Sequence, residues 1–213
     1  ISTLSAREVY ILNNSWRFFF KDENSSDNAR FVTIPHTWNS DALTENGELR
    51  QTTANYRRKL FVPAEWQGRR LFLRFGGVMS VADVFVNGNF VGSHKGGRTA
   101  FALEITDKLF FGSENTLLVE VSNGYRSDVL PTSTEQNMYG GIYRDVWMIA
   151  KQAVHITDAV EAGKVAGGGI FVHYNNISDK SAEVLVNTEV CNSGSKPRTV
   201  TVETTILDIN KKQ

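Results

Sequence analysis

The segment IPHTWN, residues 34–39, contains two aromatic side chains that could contact a ligand. His36 and Trp38 could stack on the face of a sugar ring, because aromatic side chains present a large apolar surface with a polar edge. The pattern favours the structural alternative, in which Trp38 packs in the core and His36 hydrogen-bonds within its own loop. The histidines of the chain show no spacing typical of metal ligands, and we expect neither a metal site nor a cofactor.

The segment MYGGIYRDVWMI, residues 138–149, places a charged pair inside an apolar run. Gly140 and Gly141 allow a tight bend, or the close approach of another backbone, where a Cβ would clash. Arg144 and Asp145 follow among large apolar residues. We interpret this pair as structural, joining the strand to its neighbours or to the next domain, rather than as a direct sugar contact.

The alternation of side chains along this segment predicts where Arg144 points. A period of two puts it on the strand face that also carries Ile142 and Val146. An arginine on an apolar face needs a carboxylate or several carbonyls, because an unpaired buried charge is very costly. Asp83 and Glu104 are the two candidate partners, and the sequence does not choose between them.

The chain up to about residue 151 alternates with a period of two. Segments such as RRLFLRF and NTLLVEVSN separate apolar from polar positions, which predicts half-buried strands. The segment DVFVNGNFVG predicts a β-hairpin in which Asn87 and Gly88 form a type I′ turn, with positive φ at both residues. No long amphipathic helix is predicted, so the expected fold class is all-β.

The composition argues against several classes of partner. The chain has 213 residues, with 23 Lys and Arg against 23 Asp and Glu. This balance gives no electrostatic case for binding nucleic acid or an anionic membrane. The single cysteine, Cys191, cannot form an internal disulfide, and no apolar run approaches the roughly 20 residues that span a bilayer. We therefore expect neither nucleic acid nor a membrane as partner.

The pattern changes near residue 151, because all four tryptophans and most phenylalanines precede it. The segments that follow predict four short strands, the last of them in RTVTVETTILDI, residues 198–209. We predict a jelly-roll (galactose-binding-like) β-sandwich over residues 1–151 and an immunoglobulin-like β-sandwich over residues 152–213. A complete immunoglobulin-like domain needs ~7 strands in ~100 residues, so the second domain is expected to be partial.

Several stretches, taken in order, resemble one known family. They are LNNSWRFFF, IPHTW, YRRKLFVPAEWQGRRLFLRFGGVMSVADVFVNGNFVGSHKGGRTAFALEIT, ENTLLVEVSN and YGGIYRDVWMI. Together they resemble the N-terminal sugar-binding-type domain of glycoside hydrolase family 2, which includes β-galactosidases, β-glucuronidases and β-mannosidases. The resemblance spans residues 9–151, and the residues after 152 look like the immunoglobulin-like domain that follows in this family.

The resemblance implies that the chain is one portion of an enzyme. Members of the family continue into a (β/α)8 barrel that carries both catalytic glutamates. Such a barrel takes ~250 residues, and retaining hydrolysis needs two carboxyl groups about 5 Å apart. We therefore expect a non-catalytic N-terminal portion of a retaining β-glycosidase, with β-galactosidase as the expected activity. It would support its own catalytic barrel and be inactive alone.

The resemblance also implies a substrate contact in the loop SDVLPTSTEQNMYGG, residues 127–141. In related β-galactosidases a carboxylate of the equivalent loop reaches the barrel mouth and helps to hold the sugar. Glu135 is the nearest ungapped match and Asn137 is the alternative, although the family residue is usually aspartate. A carboxylate suits this role because it accepts bidentate hydrogen bonds and can ligate a cation. The structural alternative for Glu135 is a solvated loop charge.

Two other functions are compatible with the sequence. One is a stand-alone carbohydrate-binding module, and the other is a purely structural module, which includes assembly into a homo-oligomer. No cluster of exposed aromatic residues on one strand face stands out, which argues against the binding module. The expected partner is a carbohydrate bound through the full-length enzyme, and the polysaccharide-degrading habits of the family favour an extracytoplasmic location.

Overall fold

The computed structural model describes residues 7–22, 28–40, 49–130, 139–165, 167–208 and 210. The chain forms two compact units, Ile1–Gln152 and Ala153–Gln213. Within the described residues there are fourteen β-strands and one short α-helix, which confirms the predicted all-β class. Among these residues no helix is long and apolar enough to cross a membrane.

The described part of the first unit contains ten strands in two sheets. They are β1 (Arg7–Ile11), β2 (Trp16–Phe20), β3 (Arg30–Val32), β4 (Thr53–Val62), β5 (Arg70–Phe75), β6 (Val81–Val86), β7 (Asn89–Lys95), β8 (Phe101–Glu104), β9 (Ser113–Ser122) and β10 (Val146–Lys151). One sheet has the order β3-β2-β4-β9-β6-β7 and the other has the order β1-β10-β5-β8. Neighbouring strands pair antiparallel, which gives the β-sandwich that the sequence predicts.

The core of the first unit comes from the residues that alternate inward along these strands. In β9, Leu117, Val119 and Val121 are fully buried, while the residues between them are partly exposed. Burying one large apolar side chain contributes about 1.5–3 kcal/mol, so several such strands supply most of the driving force for folding. Every member of the buried apolar cluster lies between Leu12 and Ala150. The core therefore belongs to the first unit.

The predicted hairpin joins β6 to β7. Asn87 has φ 51° and Gly88 has φ 79°, as a two-residue type I′ turn requires. The Asn87 side chain also accepts a hydrogen bond from the Thr116 amide (2.9 Å) and donates to the Lys108 carbonyl (2.8 Å). This turn therefore ties the hairpin to the chain around β9 in addition to reversing its direction.

The predicted strand face for Arg144 is wrong. The strand β10 begins at Val146, and Arg144 lies in a bend before it, with its side chain exposed. Because strand alternation begins only with the strand, it does not place residue 144. The Arg144 guanidinium donates to the Gly76 carbonyl (3.4 Å) and lies 5.3 Å from the Tyr143 ring.

The two predicted partners of Arg144 have other roles. Glu104 pairs with Arg70 at 2.7 Å, across the β5–β8 ladder. Asp83 lies in β6, in register with Ser93 and Glu120. Asp145, in contrast, accepts a hydrogen bond from the Asn13 side-chain amide (2.9 Å), and this joins the start of β10 to the connection between β1 and β2.

The described residues of the second unit form two separate antiparallel pairs. One pair is β11 (Val154–Ile156) with β14 (Val190–Asn192), and the other is β12 (Ile170–Asn175) with β13 (Glu183–Thr188). A four-residue helix, α1 (Ala159–Ala162), lies between β11 and β12 and is capped by the Asp158 side chain. The immunoglobulin-like topology stays a prediction.

The prediction of a strand in RTVTVETTILDI is wrong for residues 198–208, the described part of that segment, because these residues form no strand. A strand needs a hydrogen-bonded neighbour, and here residues 202–206 only line a groove of about 490 Å³ beside β12 and β13. Apolar side chains of this unit stay exposed, including Ile170 at 60% and Tyr174 at 61%. The second unit therefore has little buried apolar surface of its own.

Candidate functional site

The segment that contains His36 and Trp38 lies beside residues 139–142 in the first unit. The His36 amide donates to the Ile142 carbonyl (2.8 Å), and the Trp38 amide donates to the Gly140 carbonyl (3.1 Å). On the other side, the Met79 amide donates to the Gly141 carbonyl (3.0 Å). The segment 139–142 is therefore held between two backbone neighbours.

Gly140 and Gly141 are required by this close packing. A Cβ on Gly140 would lie 1.8 Å from the Trp38 ring. Gly141 has φ 138°, and a Cβ there would lie 2.4 Å from the His36 carbonyl oxygen. Both contacts are far inside van der Waals distance, so any side chain at either position displaces its neighbours.

Trp38 is a core residue. Its side chain is fully buried, its ring lies 6.1 Å from the rings of both Phe18 and Phe20, and its indole N–H donates to the Arg50 carbonyl (3.0 Å). A ring without exposed surface offers no face to a sugar. The position of Trp38 therefore supports the structural interpretation.

His36 is half-buried and takes part in the same packing. Its Nδ1 lies 2.7 Å from the Tyr56 hydroxyl, and its ring lies 4.8 Å from the Phe18 ring. A histidine with one ring nitrogen engaged by a buried tyrosine is held in a fixed orientation. This arrangement also supports a structural role for His36.

The carbonyl of Arg50 joins these loops to a third part of the chain. It accepts from the Trp38 indole, from the Asn39 side-chain amide (3.3 Å) and from the Asn123 side-chain amide (2.9 Å). The Asn39 side chain in turn accepts from the Gly140 amide (2.6 Å). One backbone oxygen thus accepts three hydrogen bonds from two other segments, residues 38–39 and residue 123, and local sequence patterns give no signal for it.

The side chain of Arg50 is fixed as well. Its guanidinium lies 3.7 Å from the Phe20 ring centre and bonds both carboxylate oxygens of Asp22 at 3.0 Å. Burial raises the pKa of the Asp22 carboxyl, but the hydrogen bonds and charge of Arg50 outweigh that effect and leave the pKa below its usual value. Asp22 is therefore ionised at neutral pH.

Glu135 and Asn137, the predicted sugar contacts, lie outside the described residues. Before them, Asp128 bonds both Arg126 (2.9 Å) and Lys95 (2.7 Å), and these hydrogen bonds lower the pKa of the Asp128 carboxyl. After them, Gly140 is held as described above. The described chain on both sides of this segment is therefore anchored to the sandwich.

These contacts determine what the site can do. The polar groups of His36, Asn39, Arg50 and Asn123 bond to the protein itself and hold loop backbones in place. Within the described residues no group of three or more His, Cys, Asp or Glu side chains could hold a metal ion. The arrangement is suited to positioning a loop accurately rather than to proton transfer or nucleophilic attack.

Known proteins are similar to this chain in sequence and in fold. The profile of the family described as "Glycosyl hydrolases family 2, sugar binding domain" matches residues 9–153. The beta-glucuronidase of Bacteroides fragilis is 39% identical over 195 residues, which cover 90% of this chain and 27% of that protein. The beta-galactosidase of Thermoanaerobacter pseudethanolicus is 30% identical over 185 residues, covering 84% of this chain and 23% of that protein.

A solved structure gives the same picture. Bacteroides uniformis beta-glucuronidase 2, covalently bound to cyclophellitol-6-carboxylate aziridine, matches with a TM-score of 0.76 and 34% identity. The match covers 88% of this chain and 23% of that one. The chain therefore spans about a quarter of the length of the relatives it matches.

Proposed function

Because this chain belongs to glycoside hydrolase family 2 and matches its N-terminal domain, we propose that it is the non-catalytic N-terminal portion of a β-glycosidase. The observation that carries the proposal is the profile match over residues 9–153, on a sandwich whose loop contacts are internal. The hydrolysis itself belongs to a catalytic barrel of the whole protein. This portion supports that barrel and supplies a loop to its substrate site.

The relatives point to two substrate classes. The relative with 39% identity is named a beta-glucuronidase, whereas one with 30% identity is named a beta-galactosidase. We place β-glucuronides first, and β-galactosides, the substrate expected from the sequence, second. Both are β-linked O-glycosides, so the choice changes the sugar and leaves the reaction class unchanged.

The loop that contains Glu135 and Asn137 is the part of this chain proposed to contact the sugar. Support comes from its described flanks, where Asp128 is bonded to two cations and Gly140 is enclosed by Trp38 and Asn39. A loop with fixed ends loses less conformational entropy when it binds a ligand. A carboxylate there would accept hydrogen bonds from sugar hydroxyls.

The first test compares the full-length protein encoded by the same gene with the 213-residue chain. We expect the full-length protein to release p-nitrophenol from its β-glucuronide or its β-galactoside, and the chain alone to release none. Activity of the chain alone would overturn the non-catalytic role. A full-length protein inactive on p-nitrophenyl β-glucuronide, β-galactoside and β-mannoside would overturn the enzyme assignment.

The second test addresses the loop in the full-length protein. Glu135→Gln and Asn137→Ala are compared with Thr134→Ala as a matched change in the same loop. We expect one of the first two to lower kcat/KM by about tenfold or more, as loss of a charge-assisted hydrogen bond to substrate does. If all three substitutions lowered kcat/KM equally, neither Glu135 nor Asn137 would be a substrate contact.

A further inference from the structure

We infer that strand β1 pairs with the β1 strand of a second copy of this chain, so that two four-stranded sheets join across a two-fold axis at Val9. The surface involved, here called the β1 edge, is the side of Arg7–Ile11 that faces away from β10. This association does not depend on the proposed function, since it concerns only how the chain binds to itself. It gives a defined surface to the homo-oligomer that the sequence leaves open.

The β1 edge is accessible to a second strand. Among the described residues β1 pairs with β10 alone, at the end of the order β1-β10-β5-β8. The consecutive residues Val9, Tyr10 and Ile11 are 48%, 43% and 63% exposed. Because side chains alternate between the two faces of a strand, exposure of three residues in a row means that both faces of β1 are open at this edge.

The other edge strands described in the first unit are less suited to pairing. Strand β3 has three residues and β8 has four. Strand β7 is longer, but its register with β6 shifts between Val84 and Phe85, and it carries Lys95. Short strands, bulges and lysines are features that keep an edge from pairing with another chain. In contrast, β1 has five residues in unbroken register with β10 and contains no lysine.

The hydrogen-bond pattern of β1 shows which backbone groups point to the edge. The Leu12 amide donates to the Val146 carbonyl (2.7 Å), so Leu12 directs its backbone groups toward β10. In an antiparallel ladder the direction of these groups alternates along a strand. The amides and carbonyls of Ile11, Val9 and Arg7 therefore point away from β10, toward the edge.

Two copies can pair so that these outward groups meet. Antiparallel pairing centred on Val9 sets Val9 opposite Val9 and Arg7 opposite Ile11. Each of these pairs exchanges two hydrogen bonds, so the three pairs give about six between the copies. A two-fold contact must be self-complementary, and this register meets that requirement over the whole strand.

The charges of the β1 edge are compatible with the same register. Arg7 lies opposite Ile11 and Glu8 lies opposite Tyr10, so no like charges face each other. Glu8 is bonded to Arg69 of its own copy. The chain carries 23 Lys and Arg against 23 Asp and Glu, and a net charge near zero favours association. A second copy therefore meets little electrostatic repulsion.

An apolar row on the four-stranded sheet leads to the β1 edge. Ile149 of β10 pairs with Val9 of β1 on one side and with Phe72 of β5 on the other. The neighbours of Ile149 along β10, Met148 and Ala150, belong to the core cluster, so the row lies on the opposite face of the sheet. Pairing at Val9 would join the rows of the two copies and cover both Val9 side chains. This contact favours a second copy over an unrelated strand.

The dimer should be weak, because five residues from each copy make a small interface. We expect a dissociation constant of about 10–100 µM. Sedimentation equilibrium of the 213-residue chain, at concentrations from about 10 µM to about 1 mM, covers this range.

Val9→Lys and Val9→Glu test the position of the two-fold axis. Because Val9 faces its own copy, either substitution places two like charges opposite each other, and each variant alone should dimerise at least about tenfold more weakly. An equimolar mixture of the two variants places a lysine opposite a glutamate. The mixture should therefore form a heterodimer about as tightly as the unsubstituted chain dimerises, which only a residue that meets its own copy can produce.

Val172→Lys is the matched control. Val172 lies in β12 of the second unit and is 43% exposed, close to the 48% of Val9. Its substitution adds the same charge to an exposed valine of another strand, so the dissociation constant of the dimer should not change. Circular dichroism of each variant confirms that the fold is retained.

Three outcomes would overturn the inference. The unsubstituted chain could stay monomeric up to about 1 mM. A dimer could form that Val9→Lys does not weaken, or that Val172→Lys weakens equally, which would place the contact elsewhere. The mixture of Val9→Lys and Val9→Glu could remain monomeric, which would show that Val9 does not face its own copy.

Discussion

A Cβ on Gly140 would lie 1.8 Å from atom Cζ2 of the Trp38 ring, so the backbone of one loop rests directly on the indole of another. Trp38 is fully buried and cannot move aside without opening the core. We expect Gly140→Ala to lower the free energy of unfolding by about 3 kcal/mol or more, as overpacking of an enclosed site does. Urea-induced unfolding followed by tryptophan fluorescence measures this difference.

Gly124→Ala is the matched control for that prediction. A Cβ on Gly124 would meet only the Ser122 hydroxyl, at the ordinary distance of 3.6 Å. We expect its effect to stay within about 0.5 kcal/mol, as for most substitutions without a clash. If the two alanine variants had equal stability, the contact between Gly140 and Trp38 would not restrict the loop as described.

Substitution of Asp145 should lower the stability of the fold much more than substitution of its neighbour Arg144. Asp145 accepts from the Asn13 side chain at 2.9 Å, and Asn13 also accepts from the Val146 amide at 3.1 Å. Asp145→Ala should therefore cost about 1–2 kcal/mol of stability, because the Asn13 side-chain NH2 group loses its acceptor. Arg144→Ala should cost about 0.5 kcal/mol or less, since that side chain is exposed.

A double-mutant cycle checks the cause of this difference. Combining Asp145→Ala with Asn13→Ala should show a coupling of about 1 kcal/mol, which is typical of residues joined by a hydrogen bond. Combining Arg144→Ala with Asn13→Ala should show additive effects. An additive result for the pair Asp145 and Asn13 would mean that their hydrogen bond does not hold the start of β10.

The residues that the sequence predicts correctly are those whose structure is decided locally. The turn at Asn87 and Gly88 needs only positive φ at two adjacent residues, and strand alternation correctly predicts which residues of β9 are buried. The prediction for Arg144 is wrong because β10 begins at Val146, four residues after Ile142, where the alternating pattern begins.

The parts of the site that the sequence could not predict depend on contacts between distant segments. The Arg50 carbonyl accepts from Trp38, Asn39 and Asn123, and a backbone oxygen leaves no mark in the sequence. Likewise, only the register of β2 and β4 brings Arg17 beside Arg57. Contacts of this kind join distant segments, so they produce no periodic pattern within any one segment of the sequence.

The pair Glu8 and Arg69 gives a prediction for pH dependence. The Arg69 side chain is only 3% exposed and donates to the Glu8 carboxylate, which also accepts from the Tyr10 hydroxyl at 2.6 Å. Hydrogen bonds from Tyr10 and Arg69 lower the pKa of the Glu8 carboxyl below its usual 4.5. The ionised form therefore stabilises the folded state above that pH, and this contribution is lost as pH falls through the lowered pKa.

We expect Glu8→Gln to lower the free energy of unfolding by about 2 kcal/mol at pH 7, because the buried Arg69 guanidinium loses a charged acceptor. The difference between this variant and the unsubstituted chain should shrink as pH falls below 4.5 and through the lowered pKa of Glu8, where the carboxyl becomes protonated in the folded state as well. Glu65→Gln, at an exposed position beside Trp66, is the control and should have little effect. A loss for Glu8→Gln that did not change with pH would rule out the charge as its cause.

The two units should differ in their protection against hydrogen exchange. The buried apolar cluster lies entirely within residues 12–150, whereas β12 and β13 of the second unit expose Ile170, Val172 and Val184 by 39% or more. An isolated pair of strands is marginally stable in water, because it buries too little apolar surface to offset the entropy of ordering. Amides of Val119 and Val121 should therefore exchange only through global unfolding, and those of β12 and β13 through local opening.

Exchange followed by NMR on the 213-residue chain measures both sets of amides in one sample, so each set serves as the control for the other. We expect the free energy of opening in β9 to approach that of global unfolding and the value in β12 to lie several kcal/mol below it. Equal protection of β9 and β12 would mean that the second unit unfolds together with the first. Their apolar surfaces would then belong to one cooperative structure, despite the exposure of the β12 and β13 side chains.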